Sequence, residues 1–514
     1  MPEILSFYRG SPCDLDCYRA KVAEVDGRFD RARRARVAEL IQAPTPGAAA
    51  KLEAVAAGDG LIVTTGQQPG LFTGPLYTIH KALAAVRLAA ALEAALERPV
   101  LPLFWIASDD HDWDEANHTF VVDGRNPLQR TALSGAPNAP PVSMRNRLLG
   151  PEVEAALDSF VASLPSTEFA GPFLERLREA YRPERTVAAA FSDLLVELLS
   201  PFDMAFVDGG QPGIKTASAD LIRRELEEAV EHERLFRERT EALVDAGYHA
   251  QVPALDGATN VFYEDERGRE RIFREGGDFV LRRSGRKFGR GDLLTRLSSE
   301  PECFSANVAL RPVVESAIFP TIAYVGGPGE VSYFGQLGPL YDAHGVGMPV
   351  VYPRFGVTMV ERKVAKVLDK FGLEIDAFRQ PSHELAAKVL RNELPEAVTS
   401  AIGSLRLELN EGYARLIEAA SEIDPTLKGP LQKARNAGHV QLSEAEKKIA
   451  QHLKMQSDLG LDQLEKARVN LYPNGQPQER VLNVFPYLMR FGVSMLAAVA
   501  ERMEVVLDAT APAE

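Results

Sequence analysis

Five short apolar runs constrain this chain more than any other feature. Gly60-Leu61-Ile62-Val63-Thr64-Thr65 ends at Gly66. Val100 to Ala107, Met204-Ala205-Phe206-Val207, Thr321-Ile322-Ala323-Tyr324-Val325 and Pro349-Val350-Val351-Tyr352 follow. Each is as long as one buried strand and too short for a buried helix. Helical spacing fills stretches between them, at Tyr77 to about Leu96, Thr186–Leu199 and Thr358–Phe371. Strand, loop, helix and strand over residues 60–107 form a βαβ unit. The pattern predicts an α/β fold with a Rossmann-like parallel sheet covered on both faces. The gap of roughly 95 residues between the second and third runs far exceeds one crossover. Insertions are therefore expected near 120–185 and 232–305. In the second, Arg271-Ile272-Phe273-Arg274 and Phe279-Val280-Leu281-Arg282 alternate as an antiparallel hairpin does.

Residues 382–470 read differently, dividing the chain into a core at 1–381, an antiparallel helical coiled coil at 382–470 and a return to the core at 471–514. Val398, Ile402, Leu405, Leu409, Tyr413 and Leu416 step by four and three, the spacing of a helix-packing seam. Asp424-Pro425 makes a turn. The second helix starts either at a capping box, Ser443-Glu444-Ala445-Glu446, or earlier, with Gly438 inside it and its straightness in question. Two helices this long cannot bury their apolar surface on each other alone, so a homodimer through this segment is expected.

The chain has 514 residues and a formal net charge of −14. That charge repels phosphate backbones and argues against nucleic-acid partners. Three cysteines, Cys13, Cys17 and Cys303, suit a reducing compartment, and the pair Cys13 and Cys17 alone cannot complete a zinc site. The longest helical apolar stretch, Ala82 to Ala95, contains Arg87 and Glu93, and no signal segment opens the chain. A cytoplasmic protein with no membrane association is expected.

Three loops follow strands at their carboxyl ends, where open α/β sheets bind ligands. Loop one runs from Thr64 to Lys81 and contains Gly66, Gln67, Gln68, Gly70, Thr73, Gly74, Tyr77, His80 and Lys81. Its glycines and helix start suit an anion. Gly74, Tyr77 and His80 share the spacing of a signature in class I aminoacyl-tRNA synthetases, with Tyr77 replacing its first histidine. Loop two, Ser108 to His118, packs Asp109, Asp110, His111, Asp112, Asp114, Glu115, Asn117 and His118 together. Such crowding calls for a cation, a substrate amine or a shared proton. Loop three carries Gly326, Gly327, Gly329 and Glu330, with Asn307 and Arg311 upstream and Arg354 after the last strand. Glu330 can also be read as a helix cap, and Arg311 as a grip for a carboxylate.

Taken in order, Gly66-Gln67-Gln68, Thr73 through Lys81, Phe104-Trp105-Ile106-Ala107, Asp110-His111-Asp112, Leu310-Arg311-Pro312-Val313 and Ala323 through Glu330 resemble the bacillithiol cysteine-adding enzymes. The resemblance spans essentially the whole chain. It implies a Rossmann-like core with two connecting-peptide insertions and a dimerising coiled coil. It also implies a ligase that joins the carboxyl group of L-cysteine to the amine of glucosaminyl malate, the last step to bacillithiol. Amide formation needs an activated carboxyl group, most simply from ATP with Mg, and a base for the amine. Asp110, His111, Asp112 and His80 are the expected catalytic residues. The others named in loops one and three, with Asn117, His118, Asn307, Arg311 and Arg354, are expected to bind substrate or nucleotide. No permanent metal is expected. A metal-dependent hydrolase built on loop two and a nucleotide-binding coiled-coil scaffold are the rival readings.

Overall fold

The computed structural model describes residues 2–124, 127–135, 140–392, 396–456 and 458–508. The chain divides into two compact units. The first comprises Met1–Gly124, Gln129–Val357 and Glu479–Glu514; the second comprises Arg125–Leu128 and Thr358–Gln478.

In the first unit, strands β1 (Leu61–Gln67), β2 (Val100–Ile106) and β3 (Ala205–Asp208) precede a block of short strands. These are β4 (Ala258–Asp265), β5 (Gly268–Glu275), β6 (Asp278–Leu281), β7 (Arg286–Phe288) and β8 (Phe304–Ala306). Then come β9 (Thr321–Gly326) and β10 (Val350–Pro353). The runs read from sequence as strands are the parallel sheet, ordered β10-β9-β1-β2-β3. In register, Leu61 faces Val100, Gln67 faces Ile106, and Thr64 faces Tyr324. The strand order reverses beside β1, which opens a crevice between the carboxyl ends of β1 and β9.

β1 extends two residues beyond Thr65 because Gly66 tolerates a close approach: a Cβ there would meet the Trp105 carbonyl oxygen at 2.7 Å. Helix α1 (Tyr77–Leu96) then crosses to β2. Its Ile79, Leu83, Leu88 and Leu92 are fully buried, each such side chain contributing roughly 1.5–3 kcal/mol of hydrophobic stabilisation.

The second insertion forms a complete antiparallel sheet, ordered β8-β4-β5-β6-β7, rather than a lone hairpin. Ile62, Leu101 and Trp105 of the parallel sheet share one apolar cluster with Val261, Tyr263, Ile272 and Phe279. Continuous packing fixes the antiparallel sheet on the core, so its polar residues can serve the same site as the core loops.

In the second unit, Glu396–Ile423 and Lys428–Gln456 are long helices joined through a turn at Pro425–Leu427. The second is continuous through Ser443, so the Ser443 to Glu446 sequence is not a helix start. Gly438 sits against Leu409, whose methyl carbons lie 3.1 and 3.2 Å from where a Cβ would be. The glycine thus gives room to a seam residue of the facing helix. Leu405 and Leu416 are 48% and 50% exposed, so the pair leaves much of its own seam uncovered. Apolar residues of the same unit, among them Val364, Phe378, Leu385, Leu464 and Leu471, form a core of their own.

Candidate functional site

All three loops open into one cavity of about 700 Å³. Loop one contributes Gly66, Gln67, Gln68, Tyr77 and Lys81, and loop two contributes Asp110, His111 and Glu115. Gly327, Gly329 and Glu330 come from loop three, joined by Asn307, Arg311 and Arg354. Loops one and two touch directly, since the Gln68 side-chain amide donates to the Asp112 carbonyl at 2.8 Å. Gly70, Thr73, Gly74, His80, Asp112, Asn117, His118 and Gly326 are not on the cavity wall.

The rest of loop one is a brace. Phe72 and Thr73 both adopt left-handed backbone, at φ 51° and 72°, ahead of Gly74 at 69°. Non-glycine residues held there cost about 1–3 kcal/mol each. The Asn483 amide offsets that cost by donating to the carbonyls of Phe72 and Gly74 at 2.7 and 3.0 Å. Phe72 also stacks on Phe160 at 4.4 Å. The N–H groups of Thr73, Gly74, Leu76 and Thr78 are engaged by protein oxygens. These four amides are therefore not offered to an anion at the start of α1.

A buried ion pair ties loop one to loop three. The Lys81 ammonium lies 2.6 Å from Glu330 Oε2 and also donates to Gln67 Oε1 at 3.2 Å and to the Gly66 carbonyl. Glu330 accepts from Tyr324 and from the Gly327 N–H at 2.8 Å. Burial would raise its carboxyl, but Lys81, Tyr324 and the Gly327 amide together hold it below the usual range. Glu330 thus caps the helix Pro328–Ala343 from within, and the loop-three amide at Gly327 is already satisfied.

Arg311 is likewise engaged. It pairs with buried Glu315 at 2.8 Å and donates to the hydroxyls of Tyr324 and Tyr333 at 3.1 and 3.4 Å. Asn307 accepts from the N–H groups of Ala309 and Leu310, both at 2.9 Å, and so fixes the turn that leads into the helix Arg311–Ile318. Arg354 holds Glu479 with both arms, at 2.8 and 2.6 Å. His80, 2% exposed, meets the same carboxylate through Nδ1 at 3.1 Å. Burial lowers its pKa, and Glu479 opposes the shift. His80 therefore positions Arg354 through Glu479.

Loop two is less strained than its composition suggests. Asp109 pairs with Lys215 at 2.6 Å. Asp110 accepts from the backbone N–H groups of His111 and Asp112, at 2.7 and 3.2 Å. Asp112 caps the short helix Trp113–Ala116, and His118 pairs with Asn117 at 3.0 Å. Asp109, Asp110 and Asp112 thus each have a partner of their own, and the like-charge repulsion that is left falls on Glu115.

His111 and Glu115 remain directed at the cavity. Arg269 donates to His111 Nδ1 at 2.8 Å, which leaves the neutral ring its proton on Nε2. Burial, with Arg269, lowers the His111 pKa. Glu115 keeps surface open to the cavity but is ringed by protein. That partial burial, with Asp112 and Asp110, raises its carboxyl against the hydrogen bond from Tyr77.

Arg269 and Arg271 of β5, Lys215 and Arg480 also line the cavity. No linear motif marks them. Arg271 stands 5.2 Å from the centre of the Phe262 ring. Among the described residues, neither Arg271 nor Arg480 has a carboxylate within ion-pair distance, so both leave positive charge to a ligand.

The fold and site define a Rossmann-like α/β protein with a coiled-coil domain and a cavity at the carboxyl ends of its strands that mixes charged groups with an apolar wall. Residues 1–355 match the model of the bacillithiol biosynthesis BshC N-terminal Rossmann-like domain, and residues 357–507 match that of its C-terminal coiled-coil domain. The chain belongs to the bacillithiol biosynthesis BshC family. A relative from Salinibacter ruber is 35% identical, over 85% of this chain and 80% of its own length. Another, from Solibacter usitatus, is 31% identical over 97% and 92%. One from Bacillus licheniformis is 30% identical over 85% and 81%. Each bears the name "Putative cysteine ligase BshC". No helix among the described residues is long and apolar enough to cross a membrane.

Proposed function

We propose that this protein is a ligase that condenses the carboxyl group of L-cysteine with the amine of glucosaminyl malate, completing bacillithiol in the cytoplasm. The observation that carries the reading is the convergence of three separated loops on one cavity holding both acids and unpaired cations. Family membership supports the same reaction class.

A carboxylate and an ammonium do not condense unaided, so one oxygen of the cysteine carboxylate must become a good leaving group. ATP with Mg is the proposed activator: the carboxylate attacks the α-phosphorus, pyrophosphate leaves, and an acyl adenylate forms. The ammonium gives up one proton, the resulting amine attacks the acyl carbon and AMP departs, and a second proton leaves the nitrogen for a base. Glu115 suits that base because burial and the neighbouring Asp112 and Asp110 raise its carboxyl and make it a stronger proton acceptor than a free carboxylate. Asp110 can share the substrate ammonium before transfer. His111 donates from Nε2, a role for hydrogen bonding to the acyl oxygen rather than for proton removal. Arg271 and Arg480 are the proposed contacts for phosphate or malate carboxylates, in place of Arg311. The apolar wall of Val252, Leu255 and Phe262 suits a flat base.

The metal-hydrolase reading lacks support at loop two. Among the described residues, the group whose His and carboxylate donor atoms converge lies elsewhere, at Glu225, His232 and His344. The test of the ligase reading is incubation of the full chain with glucosaminyl malate, cysteine and ATP or other nucleotides, with mass detection of the condensed thiol. Nucleotide-dependent product is expected; none with any nucleotide would remove the proposal.

A further inference from the structure

We propose that Glu225, His232 and His344 form a buried site for one zinc-type divalent cation, separate from the cavity and independent of the ligase reading. Glu225 lies near the end of the helix Pro212–Glu227, His232 in the helix Ala229–Asp245, and His344 just after the helix Pro328–Ala343. Their ligand atoms all lie within 4.8 Å of one another. Glu225 Oε2 is 2.7 Å from His232 Nδ1 and 3.1 Å from His344 Nε2. All three side chains are at most 1% exposed.

The other carboxylate oxygen is fixed. Glu225 Oε1 accepts from the Asn260 side-chain amide at 2.8 Å and from its backbone N–H at 3.2 Å. Oε2 is thereby aimed at the two imidazoles, the outer support that metal-ligating carboxylates commonly have.

A plain imidazolium–carboxylate pair fits less well. Despite its short distance to Glu225, His232 Nδ1 makes no hydrogen bond, and neither does its Nε2. The next carboxylate, Glu228, is 3.7 Å from Nε2. A protonated His232 would leave the buried Nε2 donor without an acceptor. A cation instead uses the Nδ1 lone pair of a neutral ring. Two imidazoles and one carboxylate are a donor set that zinc takes, with a fourth position left to a small ligand such as water.

The site has a structural route to the cavity. Asn260 Oδ1 accepts from Asn307 at 2.9 Å, and Asn307 fixes the turn that leads into the helix carrying Arg311. A bound ion would stiffen this wall without touching substrate.

The test uses the full chain expressed with zinc or cobalt supplements, freed of loose metal by dialysis. Elemental analysis should find about one equivalent per chain, and the cobalt form should show the visible absorption of a low-symmetry, four-coordinate ion. Glu225→Gln and His232→Gln should each lose both signals, while Asp110→Asn keeps them. Should those variants not fold, the wild-type chain decides alone. Chelator treatment under mild denaturant, then refolding with or without zinc, should give a higher melting temperature with zinc. Metal-free wild-type protein that gains no stability from zinc overturns the site. So does metal retained equally by folded Glu225→Gln and His232→Gln.

Discussion

Replacing Lys81 by Met isolates the contact that joins loops one and three. The ammonium and Glu330 are 2.6 Å apart, with Lys81 1% exposed. Removing one partner of a buried pair costs about 3–5 kcal/mol, because the other charge stays buried. Glu330 keeps its bonds from Tyr324 and Gly327, which places Lys81→Met near the lower end, about 3 kcal/mol. In Glu330→Gln, Lys81 retains Gln67 and the Gly66 carbonyl, and a loss of about 1.5–3 kcal/mol is expected. The double variant should fall short of the sum by about 2 kcal/mol. The pH dependence should also reverse. In the native protein the Glu330 carboxyl is held below its unfolded value, so its contribution is present above that value and fades as pH falls through the folded one. Without Lys81, burial dominates and the carboxyl moves up; stability then falls as pH rises. Urea unfolding followed by tryptophan fluorescence reads this unit selectively, because the two tryptophans, Trp105 and Trp113, both lie in it. Additive losses together with an unchanged pH slope would refute the reasoning.

Three further outcomes follow from named contacts. Glu479 is held down to about 2 from an ordinary 4.5, since His80 and Arg354 outweigh the opposing effect of burial; it should contribute about 3 kcal/mol above pH 4.5, lost as pH falls towards 2. Glu479→Gln should flatten that acid limb in a urea series. Asp110→Asn keeps an oxygen for the two backbone amides, so its urea midpoint should hardly move, while His111→Ala should slow condensation by about 10²–10³-fold with the fold intact, the loss of one donor to the acyl oxygen. A lowered midpoint with full turnover in either variant would make loop two structural. Deleting residues 382–470 should convert the proposed homodimer into a soluble monomer by sedimentation, because the exposed Leu405 and Leu416 leave with the helices. A deletion variant that sediments as a dimer would assign association to the core.

The parallel sheet was legible because its strands are buried on both faces and therefore read as unbroken apolar runs. β1 still ends at Gln67, beyond Thr65, since the close approach of Trp105 to Gly66 is a tertiary fact. Loop positions were legible for the same topological reason, but the direction of each side chain was not. Arg311 meets Glu315 and His80 meets Glu479, partners four and 399 residues away. Nothing in the local sequence decides between those partners and a ligand. Arg269 reaches His111 across 158 residues of chain through a sheet whose position depends on the shared apolar core. The charge-dense composition of loop two was plain, yet its relief by Lys215, backbone amides and helix capping needed the folded chain.

The central claim is that the cavity activates a carboxylate for attack by an amine. Cysteine labelled with ¹⁸O in both carboxyl oxygens tests it most directly, in a reaction with glucosaminyl malate and ATP analysed by mass spectrometry. The account predicts that each condensed thiol keeps one labelled oxygen in its amide while the other appears in AMP. Condensation that proceeds without nucleotide breakdown, or with no label entering AMP, would contradict it.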